Sequence, residues 1–148
     1  MTRAMWMLAA GALTLAGCRG EELTRVQLAK AGDSGQATWK TDGAVTAQVW
    51  SDYEGDWTGG DKPGLDYGIE LLDGATVIQT QSCQTGTCGT SVCRSTTRIN
   101  DKHSGACECK MSCALAAPKA GTYTVKATVN DPGGHFTAPK NLSLVLRK

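Results

Sequence analysis

Six of the seven cysteines lie in one segment, and they are the densest group of reactive side chains in the sequence. They form two triplets, C-x4-C-x4-C at Cys83, Cys88 and Cys93, and C-x-C-x3-C at Cys107, Cys109 and Cys113. With His103 and His135 they offer zinc-ligating atoms, but the paired C-x2-C spacing of structural zinc sites is absent. A C-x-x-C redox motif is absent as well. The spacing therefore favours three disulfides, whose pairing the sequence leaves open.

The second triplet has a spacing that a β-strand would place on one face. Cys107, Cys109 and Cys113 share their parity with Met111 and Leu115, and alternate residues of a strand project from the same side. We expect this face to lie against the first triplet and to staple the Gly-, Ser- and Thr-rich stretch 84–105. Each closed loop would contribute roughly 2–4 kcal/mol. The stapled stretch is predicted to be a long, rigid loop and a candidate contact surface.

Acidic and aromatic residues are concentrated between residues 50 and 67, where glycines predict an exposed binding loop. The aromatic candidates are Trp50, Tyr53 and Trp57, and the acidic candidates are Asp52, Glu54, Asp56 and Asp61. Trp57 precedes a double glycine and could stack on a sugar ring or anchor a protein partner. The alternating acids match the first positions of an EF-hand loop, but Trp57 and Pro63 stand where that loop has its glycine and its bidentate glutamate. Calcium therefore stays a weak candidate.

Motifs for catalysis are either incomplete or absent. Gly32-Asp33-Ser34-Gly35 resembles the nucleophile motif of chymotrypsin-like serine proteases, but Gln36 replaces the second glycine and no histidine precedes it. G-x-S-x-G and H-E-x-x-H do not occur, and His103 and His135 are isolated. We predict that the protein is not an enzyme and that it uses no cofactor.

The elements that would position these residues are short strands. Period-two alternation, typical of half-buried antiparallel strands, covers residues 44–53, 65–71, 122–129 and 142–147. Weaker strand candidates cover residues 23–30, 36–40, 76–81, 92–99 and 108–116. Asp-Gly and Gly-Gly turn signals separate them, and no window has the periodicity of an amphipathic helix. The pattern predicts an all-β fold, a single antiparallel β-sandwich over residues 23–148.

The C-terminal strands carry a more specific pattern. The run Gly-Thr-Tyr-Thr-Val-Lys-Ala-Thr-Val at 121–129, a glycine turn and the strand 142–146 resemble the last two strands of bacterial Ig-like and PKD-type domains. The resemblance implies an Ig-like sandwich with a closing hairpin. It also implies that Tyr123 is a tyrosine corner whose hydroxyl bonds back to the backbone. The cysteine pair and buried tryptophan of Ig domains are not recognisable, so a jelly roll is the alternative.

The N-terminus predicts export and lipidation. Arg3 precedes an apolar run from residue 4 to 15 that is too short to span a bilayer. The run ends in Leu15-Ala16-Gly17-Cys18, which resembles the lipobox of bacterial lipoproteins. The resemblance implies that residues 1–17 are a cleaved signal peptide and that Cys18 is acylated. Residues 18–22 would then form a short tether, and Arg19 in place of aspartate implies sorting to the outer membrane.

The charge balance limits the kinds of partner. Fifteen basic and fourteen acidic residues in 148 give a net charge of +1, which provides no field for gathering nucleic acid. We therefore predict an outer-membrane-anchored lipoprotein that acts as a binding or assembly component of an adhesion or surface-motility complex, with envelope proteins as partners. The alternatives are a polysaccharide-binding module that uses Trp57, Trp50 and Tyr53, and a calcium-dependent adhesin.

Overall fold

The structure, a computed structural model, describes residues 19–148, so the predicted signal segment and Cys18 lie outside the described residues. Nine strands and one short 3-10 turn, Thr85–Thr87, make up the described chain. The strands are β1 Glu22–Leu28, β2 Ser34–Thr41, β3 Val45–Thr58, β4 Asp66–Asp73, β5 Thr76–Gln84, β6 Thr90–Ile99, β7 Lys102–Ala117, β8 Gly121–Asn130 and β9 Asn141–Arg147. Within this range no helix is long and apolar enough to cross a membrane.

The strands form two antiparallel sheets packed as a sandwich, which confirms the predicted fold class. The five-stranded sheet has the order β1-β9-β3-β7-β6, and the four-stranded sheet has the order β2-β8-β4-β5. The neighbours β1 with β9, β2 with β8, β3 with β7 and β4 with β5 are nested antiparallel pairs, which is the arrangement of a jelly roll with β6 as an added edge strand. The Ig-like closing hairpin is wrong, because β8 and β9 belong to different sheets.

The core lies between the sheets and is built from the alternating residues that the sequence predicts. In β8, for example, Tyr123, Val125, Ala127 and Val129 are all buried while their neighbours face outward. The Tyr123 hydroxyl donates a hydrogen bond of 2.8 Å to the Lys119 carbonyl oxygen. The expected backbone bond of Tyr123 is therefore present, although the sandwich has jelly-roll connections.

Strand β3 is longer than the sequence pattern predicts, because β7 pairs with it as far as Thr58 and a second segment pairs with the other edge of its far end. The Thr137 amide donates to the Asp56 carbonyl oxygen at 2.9 Å, and the Lys140 amide donates to the Glu54 carbonyl oxygen at 2.7 Å. Gly55 lies between them with a φ of 155°, and a side chain there would collide with the Ala138 carbonyl. The glycine that looked like a loop residue instead allows this close approach.

Three nested disulfides join the two cysteine triplets. They are Cys83–Cys113, Cys88–Cys109 and Cys93–Cys107, with Cα–Cα separations of 6.0, 5.6 and 4.0 Å. Cys83–Cys113 connects β5 of one sheet with β7 of the other, whereas Cys93–Cys107 joins directly opposed residues of β6 and β7. The predicted disulfides and their facing triplets are confirmed. The stretch 84–105 is not a long loop, however, because most of it belongs to the β6–β7 hairpin.

Candidate binding face on the five-stranded sheet

Strand β3 divides the predicted aromatic and acidic residues between two faces. Because side chains alternate along a strand, Tyr53 and Trp57 point into the core, whereas Trp50 and Asp52 lie on the outer face of the five-stranded sheet. Tyr53 is 1% exposed and Trp57 is 2% exposed. The exposed aromatic loop that we predicted is therefore wrong, since the strand continues to Thr58.

The surroundings of Trp57 are those of a core residue. Its ring stacks on His103 with centroids 5.5 Å apart, and it meets Tyr53 edge to face, also at 5.5 Å. The indole Nε1 donates to the Gly60 carbonyl oxygen at 3.3 Å. Trp57 thus fills the end of the sandwich and offers no open ring face for a ligand.

The acidic residues do not assemble the calcium site that we considered. Asp52, Glu54 and Asp56 alternate on one strand, where side chains two residues apart are about 7 Å apart along the strand axis. Asp61 lies beyond the end of β3 and is exposed. Among residues 19–148 no group of three or more His, Cys, Asp or Glu side chains is placed to hold a metal ion.

Asp52 instead belongs to an ion network in the middle of the outer face. It lies directly opposite Glu108 of β7, and each residue is only 3% exposed. Arg25 of β1 donates to Asp52 Oδ2 at 2.6 Å. Arg94, the extra residue of a β-bulge in β6, approaches Asp52 Oδ1 at 3.6 Å. Two buried carboxylates side by side are tolerable only because cations surround them.

Glu108 holds two further arginines. Arg147 of β9 donates to Glu108 Oε1 at 3.1 Å, and the Arg19 guanidinium lies 3.2 Å from Glu108 Oε2. Arg147 itself is 8% exposed. The network therefore ties β1, β3, β6, β7 and β9 to the first described residue of the chain.

The fixed charges of this network are reinforced at its edge. Arg25 makes a two-pronged contact with Glu22, at 2.9 and 3.0 Å. These hydrogen bonds hold the pKa of the Glu22 carboxyl below its usual value of 4.5. Hydrogen bonds to Glu22 and Asp52 raise the pKa of Arg25, despite its partial burial. Both groups are charged at neutral pH, so the face keeps a fixed pattern of charge.

Sequence reasoning missed these arginines, although a signal for them exists. Arg25 and Arg147 occupy outward positions in predicted strands, and we expected such positions to be solvated. Arg94 could not be found in this way, because the β-bulge that turns it toward Asp52 depends on the pairing of β6 with β7.

Two recesses flank the ion network. The first, called here the cationic cleft, is lined by Arg19, Gly20, Gln48, Trp50, Thr90, Lys110, Arg147 and Lys148. The second, called here the distal groove, has a volume of about 510 Å³ and is lined by Asp56, Trp57, Thr58, Thr97, Ile99, Lys102, His103, Ser104 and Thr137. They are about 25 Å apart along β3. Ile99 is 68% exposed in the distal groove, whereas Trp50 is 4% exposed beside the cleft.

The two histidines do not form an acid–base pair with a carboxylate. His103 stacks on Trp57, and His135 Nδ1 lies 3.1 Å from the Thr58 hydroxyl. Within residues 19–148 neither histidine shares a hydrogen bond or ion pair with an aspartate or glutamate. The arrangement is suited to recognition through charge, hydroxyl groups and one exposed aliphatic side chain.

Comparison with protein-family models found no match, and comparison with curated proteins found none either.

Proposed function

We propose that the protein is a bacterial outer-membrane lipoprotein, anchored through Cys18, that binds a protein of the cell envelope without enzymatic activity. Three disulfides support export, because such bonds form and persist in oxidising compartments. The lipobox pattern supports the anchor, and the binding role is supported by the outer face of the five-stranded sheet.

The described chain is held against the domain from its first residues onward. Glu21 and Lys148 exchange two backbone hydrogen bonds of 3.2 and 3.0 Å, and Arg147 donates to the Gly20 carbonyl oxygen at 3.2 Å. Arg19 is held by Glu108. Strand pairing thus begins before residue 23, where we placed the domain boundary. An anchor on Cys18 would hold the domain by the end that carries the cationic cleft.

The observation that carries the binding role is the position of the distal groove at the opposite end of the same sheet. An anchor at Cys18 would direct this groove away from the membrane, toward other envelope components. Ile99 would be buried against the partner, while Thr97, Ser104 and Thr137 supply hydroxyl groups and Asp56 and Lys102 supply charges.

The composition of the groove favours a protein partner over a polysaccharide. The predicted stacking on sugar rings requires open aromatic faces, and the tryptophans of the described chain, Trp39, Trp50 and Trp57, are 1%, 4% and 2% exposed. An exposed aliphatic residue rimmed by hydroxyl groups and charges is instead typical of a protein contact.

The anchor is tested by fatty-acid labelling of cells that produce the protein. We expect Cys18→Ser to abolish labelling and to release the protein from the membrane fraction, while Ser82→Ala, an exposed control, changes neither. Labelling that persists in Cys18→Ser would overturn the anchor.

The binding role is tested by crosslinked capture of the lipidated protein from its own envelope. Ile99→Asp is compared with Val77→Asp, which alters an exposed aliphatic residue of the other sheet, 46% exposed. We expect Ile99→Asp to reduce the captured protein by about tenfold or more, the size of a hot-spot loss, and Val77→Asp to leave it unchanged. Equal capture by both variants contradicts the groove, and polysaccharide in place of protein contradicts the partner class.

A further inference from the structure

The cationic cleft has the composition of an anion site. Its volume is about 260 Å³, and four of its eight lining residues are basic: Arg19, Lys110, Arg147 and Lys148. None of the eight is acidic. Gln48 and Thr90 add polar side chains, and the Arg147 guanidinium carbon lies 6.0 Å from the centre of the Trp50 ring.

The positive charges of the cleft exceed those that the neighbouring acids can balance. Arg19 and Arg147 share Glu108, and Arg147 also lies 3.5 Å from Glu22. Lys110 and Lys148 form no ion pair with any residue in the range 19–148. The ammonium groups of Lys110 and Lys148 are therefore positive charges at the cleft without an ion-pair partner in that range.

The accessible donors of the cleft fit an anion. Arg147 is 8% exposed, and its terminal guanidinium nitrogens contact Gly20, Glu22 and Glu108. The Arg19 side chain is 33% exposed, so a ligand in the cleft would meet the Arg19 guanidinium and the ammonium groups of Lys110 and Lys148. Phosphate oxygens fit these donors, because guanidinium groups bind them in a two-pronged geometry and ammonium groups bind them as point charges.

We propose that the cationic cleft binds the phosphodiester of an anionic phospholipid in the membrane that holds the anchor. This inference rests on the proposed function. Arg19 follows Cys18 directly, and consecutive Cα atoms are about 3.8 Å apart, so acylation of Cys18 brings headgroup phosphates to the cleft. A free phosphate shares this chemistry, but only the lipid is held at this place by the anchor.

Binding of a headgroup would orient the domain on the membrane. The end that carries Lys110 and Lys148 would contact the headgroups, and the distal groove would point away from them. Each basic side chain near an anionic surface strengthens this contact, and salt weakens it.

The test uses the full-length lipidated protein in vesicles of phosphatidylethanolamine, with or without phosphatidylglycerol. Lysines are labelled with a membrane-impermeant amine reagent and quantified by mass spectrometry. We expect phosphatidylglycerol to reduce labelling of Lys110 and Lys148 about threefold or more, given the attraction of one basic residue to an anionic surface. Lys102 and Lys140, at the other end, should be labelled equally in both vesicles.

Matched charge reversals sharpen the result. With Lys110→Glu, the protection of Lys148 should be lost, whereas Lys140→Glu, at an exposed lysine outside both recesses, should preserve it. If the protein floats with both kinds of vesicle and its Lys110 is labelled equally in both, the inference is overturned and the anchor stands. If inorganic phosphate protects Lys110 and Lys148 equally in both kinds of vesicle, the ligand is free phosphate and the lipid is overturned as the ligand. Protein that does not float with either vesicle overturns the anchor and the inference together.

Discussion

The outer faces of the two sheets are built on the same alternating pattern, yet they differ in how they treat charge. On the four-stranded sheet, Glu70 of β4 lies opposite Lys126 of β8, and both are exposed. On the five-stranded sheet, Asp52 lies opposite Glu108, and both are buried. The difference arises because arginine side chains lie across the second face and shield its carboxylates from water.

This contrast is the reason for placing the proposed binding role on the five-stranded sheet. An exposed ion pair contributes about 0–1 kcal/mol and requires no particular surroundings. A buried network is costly to assemble and becomes strongly destabilising when one member is removed. Four arginines placed around Glu108 and Asp52 give the five-stranded sheet the more specific arrangement of charge. The two proposed sites, for a protein partner and for a phospholipid, therefore both lie on the five-stranded sheet.

The largest expected effect is the removal of Glu108. Glu108→Ala leaves Arg147 and Arg19 without their shared carboxylate, and it should lower the free energy of unfolding by about 3 kcal/mol. Glu70→Ala, the same substitution on the other face, should change it by less than about 0.5 kcal/mol. Chemical denaturation with the disulfides intact measures both. Similar losses for the two variants would remove the distinction between the faces.

A double-mutant cycle isolates the ion pair from other effects of truncation. For Glu108 and Arg147 we expect a coupling free energy of about 2 kcal/mol, because both side chains are buried and in contact. The matched cycle on Glu70 and Lys126 should give less than about 0.5 kcal/mol. A coupling near zero for the first pair would mean that Arg147 is held by packing and not by charge.

Local pattern predicts much of this fold. All nine strands fall on segments whose alternation or composition indicates a strand, and Tyr67, Ile69 and Leu71 are buried as their period requires. The shared parity of Cys107, Cys109 and Cys113 correctly predicts that the second cysteine triplet faces the first. These features need only the geometry of a single strand and one dry face.

Features that depend on contacts between distant segments could not be predicted in this way. Nothing near Trp57 in the sequence shows that β7 and residues 137–140 both pair with β3 beyond Gly55. The jelly-roll order depends likewise on which sheet β9 joins after the turn at 131–140. The ion network could not be predicted for the same reason, since Asp52, Arg25 and Glu108 come from three strands that are far apart in sequence.

The smallest expected effect is at the edge of the ion network and depends on pH. Hydrogen bonds from Arg25 hold the pKa of Glu22 below its unfolded value of 4.5, so the folded state favours the charged carboxylate. This contribution to stability is present above pH 4.5 and is lost as the pH falls through the lower folded value.

Glu22 is 38% exposed, so we expect Glu22→Gln to cost less than about 1 kcal/mol at neutral pH and low salt. The difference from the unmodified protein should vanish in acid and shrink with added salt, because the pair is screened. Denaturation midpoints of the unmodified protein and of Glu22→Gln, measured across the acid range, test this. Glu70→Gln, on the other sheet, is the control and should leave the midpoint at neutral pH unchanged. A difference that persisted in acid would show that Glu22 stabilises the sheet through packing, and the charged network would then end at Arg25.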